Sequence, residues 1–145
     1  MPDLGTIISR ARLYLRDYPA NNIILSFTQE SSDADIADAV QRTIDNWNMS
    51  PPYLGNIDIT SFPNDTLLVM GTVIEVLKSS QIKYARNRLP FSDAGVSVAF
   101  DDQTSLYNAI IQTLEPDYIN VRNAFKYSQN LEAAYGILSR WTYNS

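Results

Sequence analysis

The chain has 145 residues with a formal net charge of −5; 45% of them are apolar and 19% charged. That is one domain in size, too apolar and too weakly charged for a disordered segment. There is no Cys and no His, which excludes disulfides, thiolate metal sites, a cysteine nucleophile and imidazole acid–base chemistry.

The acidic balance disfavours a protein that tracks nucleic-acid phosphates. The start, Met1-Pro2-Asp3-Leu4, lacks a signal-peptide pattern, and no apolar run spans a bilayer. The expectation is therefore a soluble intracellular protein, a single domain over residues 1–145. Scaling surface with mass leaves roughly 7,500 Å² accessible in a compact fold, enough burial for a core without covalent staples.

The first helix is predicted over 3–16, with Asp3 as its N-cap and Leu4, Ile7, Ile8, Ala11 and Leu15 on one face. Pro19 ends it. Arg10, Arg12 and Arg16 read as a solvated face of this helix. Ile23–Phe27 is apolar and fits either an extended segment or a helical turn.

Ser31-Ser32-Asp33-Ala34-Asp35 opens a second helix that runs to about Trp47, with Ile36, Ala39, Val40, Ile44 and Trp47 as its stripe. Asp33, Asp35 and Asp38 do not have the spacing of a calcium loop and read as helix-start charges. Residues 48–63 form a Pro-rich loop whose Tyr53, Leu54, Ile57, Ile59 and Phe62 call for a surface to pack on.

A helix of roughly 24 residues follows from Asn64 or Asp65 to Arg88, about 36 Å long. Its middle is apolar on several sides, marking the central helix of the bundle. Lys78, Lys83, Arg86 and Arg88 crowd its C-terminal half, where they complement the helix dipole. Pro90 terminates it.

The period then changes to two over Gly95–Phe100, after the turn residues Ser92-Asp93-Ala94-Gly95. A further helix spans about Gln103–Gln129, with a break or sharp kink expected at Pro116. Tyr135–Trp141 has strand character, and its expected partner is 96–100 or the same strand in another copy. The fold class is thus mainly α, a helical bundle around one long central helix with a small two-stranded antiparallel β element.

No residue set supplies a nucleophile with a positioned base, so no catalytic, cofactor or metal site is expected. Arg86-Asn87-Arg88-Leu89-Pro90-Phe91 is the segment that best fits a partner-facing corner, since Arg pairs bidentately with carboxylates. Nine Tyr in so short a chain point the same way, because Tyr packs at one end and hydrogen-bonds at the other. The interface residues expected are Tyr53, Phe62, Lys83, Tyr84, Arg86, Arg88 and Phe91, with Asp33, Asp35 and Asp38 as an acidic counter-face.

Ala85-Arg86-Asn87-Arg88-Leu89-Pro90-Phe91-Ser92-Asp93-Ala94-Gly95-Val96-Ser97-Val98, with Asn130-Leu131-Glu132-Ala133-Ala134-Tyr135-Gly136 later, resembles virion proteins of tailed bacteriophages. The likeness is to the neck class: head–tail connectors, adaptors and head-completion proteins. It implies a non-enzymatic ring subunit, commonly dodecameric, made in the host cytoplasm and ending in the virion neck. Its partners would be copies of itself, the portal protein and a tail, tail-terminator or neck protein. Genomic DNA would pass through without specific binding, and no membrane is involved. The other expectation for such a chain is a small helical dimeric scaffold or regulatory module.

Overall fold

The computed structural model describes residues 3–22, 28–87, 92–93, 96–97 and 103–143, with side chains for 3–22, 28–87 and 104–135. Four helices dominate: α1 (Leu4–Leu15), α2 (Asp33–Met49), α3 (Asp65–Arg86) and α4 (Gln103–Tyr143). A 3-10 turn at Pro19–Asn21 follows α1.

Each of the first three helices starts where a short polar side chain accepts an otherwise orphaned N–H. The Thr6 amide donates to Asp3 Oδ2 at 3.2 Å, and the Leu67 amide to Asn64 Oδ1 at 3.0 Å. At α2 the cap is reciprocal: Asp35 N–H donates to Ser32 Oγ at 3.1 Å and Ser32 N–H to Asp35 Oδ2 at 2.9 Å. These hydrogen bonds from Ser32 hold the Asp35 carboxyl below its ordinary range.

α1 closes through a left-handed residue, Arg16 at φ 56°. Its N–H reaches Leu13 O at 3.3 Å and that of Asp17 reaches Arg12 O at 3.2 Å. Glycine is the usual occupant of that position because a Cβ there costs ~1–2 kcal/mol. Here the turn is retained by the ion pair that it aims, described below.

α3 is the centre. It packs against α1, α2 and α4, and Leu67, Leu68, Val69, Val73, Ile74, Val76 and Leu77 are all buried. Around it lie Ile7 and Ala11 of α1, Ile36, Ala39, Val40, Ile44 and Trp47 of α2, and Ile111 and Tyr118 of α4. At Gly71 side chains of α2 and α4 close directly on the backbone of α3. A Cβ there would stand 2.3 Å from Thr43 Cγ2 and 3.0 Å from the Tyr118 ring.

Three expectations are corrected. Residues 135–141 are not a strand; they lie inside α4, which continues to Tyr143. The two-stranded element joining 96–100 to 135–141 therefore does not form. Among the described residues the only extended pairing is a two-residue ladder, β1 (Ser92–Asp93) against β2 (Val96–Ser97), antiparallel in the register Ser92↔Ser97 and Asp93↔Val96. Pro116 does not break α4 either. It lies on the exposed side together with Gln112, so water can solvate the carbonyl that loses its i→i−4 donor. The result is one helix of 41 residues, roughly 60 Å long. Residues 88–91 and 98–100, which include Arg88 and Phe91, lie outside the described residues.

Candidate interaction surface

The expected corner divides on inspection. Lys83 and Arg86 are exposed at the end of α3. Tyr84 is half-buried: its ring stacks on Tyr107 of α4 at 5.5 Å and 15°, with the Lys83 ammonium 5.7 Å from its centroid. The Tyr107 hydroxyl donates to both Glu30 carboxylate oxygens, at 3.0 and 3.1 Å. Burial and the neighbouring Glu30 carboxylate raise the pKa of both phenols, that of Tyr84 to about 12 and that of Tyr107 further. Tyr84 thus ties α3 and α4 to the segment before α2.

The acidic counter-face is engaged within its own chain. Asp33 Oδ1 accepts from Arg12 at 2.6 Å, and Asp38 pairs with Arg42 at 3.4 Å. Asp35 lies close enough to Lys83 to feel its charge, and both line one small cleft with Glu30 and Ser80. The antiparallel packing of α2 and α3 puts the acidic start of one beside the basic end of the other. The sequence separates these groups; the fold neutralises them locally.

The 48–63 loop divides in the same way. Phe62 belongs to the core, 4% exposed and 5.1 Å from the Trp47 ring; its expected place at an interface is corrected. The loop is pinned by Asn48, whose amide donates to Ile57 O at 3.0 Å and accepts from Ile57 N–H at 2.9 Å. That folds Ile57 and Ile59 onto the core. At its outer turn Asp58 accepts from Thr60 Oγ1 at 2.7 Å and Ser61 N–H at 2.9 Å; these bonds lower its carboxyl to about 2. Tyr53 stays on the surface, 74% exposed.

Two buried cations escaped the sequence reading. Arg12 is not on a solvated face: it is 6% exposed. It donates to Asp17 Oδ2 at 3.2 Å, Ser31 O at 2.9 Å and Asp33 Oδ1 at 2.6 Å. Asp17 in turn accepts from Glu30 N–H at 2.7 Å and Ser31 N–H at 2.9 Å. This network joins the end of α1 to the start of α2. Lys126 is 1% exposed and donates to Trp47 O at 2.6 Å, to Ser50 Oγ at 3.2 Å and to Ser50 O. Its ammonium lies 5.2 Å from the Trp47 ring centroid. A cation on the last carbonyls of α2 complements their partial negative charge. Burial, then the Arg122 charge, lowers its pKa below the ordinary lysine value. Register carried the signal for Lys126, which is 15 positions after Ile111 and 8 after Tyr118 on the inward side of α4.

Between α2, α3 and α4 lies a second polar cleft, lined by Asn46, Glu75, Lys78, Glu115, Tyr118 and Arg122. Lys78 bonds Glu115 and stands 3.9 Å from Glu75. The Tyr118 hydroxyl is buried without a hydrogen-bond partner, and burial pushes it up to about 12. Its charges compensate one another within the cleft. No group of three or more His, Cys, Asp or Glu placed to hold a metal occurs among the described residues.

Several large apolar side chains also remain uncovered. Leu13 and Tyr14 on α1 are 52% and 54% exposed, and Leu106, Val121, Tyr127, Leu131 and Tyr135 on α4 are 60%, 47%, 58%, 56% and 68% exposed. Every residue from 130 to 135 is exposed, so α4 leaves the bundle over that stretch. No helix among the described residues is long and apolar enough to cross a membrane. No protein-family model, curated protein or solved structure matches the chain.

Proposed function

We propose that this chain is a structural subunit of a tailed-phage neck, assembling as a ring that joins the portal to the tail and leaves a conduit for DNA. One observation carries the reading: a bundle with a filled core continues into a helix that leaves it, with large apolar side chains in water. Monomeric proteins rarely expose such stripes without a partner for them.

A ring subunit covers two different faces, and a standard interface takes about 800 Å² from each partner. The net charge of −5 suits a conduit wall that does not grip phosphates. The sequence resemblance supplies the class, and the exposed residues Lys83 and Arg86 at the end of α3, with Tyr53 on the 48–63 loop, supply candidate contacts to portal or tail.

The test is assembly. Phage carrying Arg86→Glu with Arg88→Glu are expected to accumulate filled heads and free tails that do not join, counted by electron microscopy. Normal joining would remove the corner from the interface. Normal joining in phage lacking the chain altogether would remove the neck reading. A stable dimer that forms no ring with purified portal would favour the scaffold-module reading.

A further inference from the structure

We draw no further inference here: the strongest candidate, the exposed apolar surface that α4 presents at Val121, Tyr127, Leu131 and Tyr135, carries nothing, because nothing in the structure shows what covers it.

Discussion

Two halves of a single helix make the most instructive contrast in this molecule. In the first half of α4, through Lys126, a lysine is 1% exposed; in the second half a leucine is 56% and a tyrosine 68% exposed. Hydrophobicity alone would reverse those figures. In the first half position decides: Lys126 faces Trp47 and the end of α2, and its ammonium donates to the Trp47 and Ser50 carbonyls there. Among the described residues of the second half, through Tyr135, none is buried, so Leu131 and Tyr135 stay in water until something covers them. The bundle is finished as a core and unfinished as a surface.

The contrast is broken most severely by attacking the buried cations. Arg12→Ala leaves Asp17 buried without its guanidinium, and removing one partner of a buried pair costs about 3–5 kcal/mol. Urea unfolding should show that loss as a lower midpoint with an unchanged slope. Lys126→Met keeps the volume but takes the ammonium donor away from the buried Ser50 carbonyl; the Trp47 carbonyl keeps the Ser50 hydroxyl at 2.9 Å. Unsatisfied buried acceptors cost about 1–3 kcal/mol, so this variant should fall between wild type and Arg12→Ala.

Alkaline titration sharpens the same picture, and the two kinds of buried group have opposite signs. Lys126 is lowered by burial, so the native state sheds its proton before the unfolded chain does. Stability through this group rises with pH until the unfolded value near 10.5 is passed. Tyr118 is raised from 10.0 to about 12 by burial. The unfolded chain ionises first, so stability through Tyr118 falls as pH climbs from about 10 to about 12. Tyr84 and Tyr107 add to that fall with the same sign. Tyr118→Phe removes a hydroxyl that bonds nothing and should stabilise the protein by about 1 kcal/mol at neutral pH. The advantage should grow by about 1 kcal/mol at pH 11, read from unfolding midpoints. An unstable Tyr118→Phe would mean that the hydroxyl is bridged by ordered water in its cleft.

The helices were legible because their signals are local. Asp3, Ser32 and Asn64 cap where short polar residues precede an apolar stripe, and α3 is central because its apolar residues point several ways. What was not legible depends on distance in the chain. Pro116 is an expected breaker, but its tolerance depends on whether the freed carbonyl faces water. Tyr135–Trp141 reads as a strand in isolation, yet it continues a helix already propagating for over thirty residues. Arg12 looks like one of three solvated arginines, and only the return of Asp17, Ser31 and Asp33 around it makes it the buried one. Asp33, Asp35 and Asp38 look like a free acidic edge because their cations lie elsewhere in the sequence. Phe62 looks like loop surface until Asn48 folds the loop back over Trp47.

The smallest expected effect on stability tests the contrast most directly. Leu131→Ser with Tyr135→Ser changes two of the most apolar exposed positions in the chain, whereas a comparable pair of changes at Ile111 and Tyr118 would gut the core. Side chains with no tertiary contact contribute little to folding of the isolated subunit, so the double variant should unfold within about 0.5 kcal/mol of wild type. Its helicity by circular dichroism should drop slightly, by no more than the fraying of the last turns of α4. The same variant should lose association with other copies and join heads to tails poorly. A large loss of stability would mean that this stretch of α4 folds back on its own bundle, and the surface argument would then fail at its root. Unchanged folding with lost assembly is the signature of residues kept for contact with another molecule.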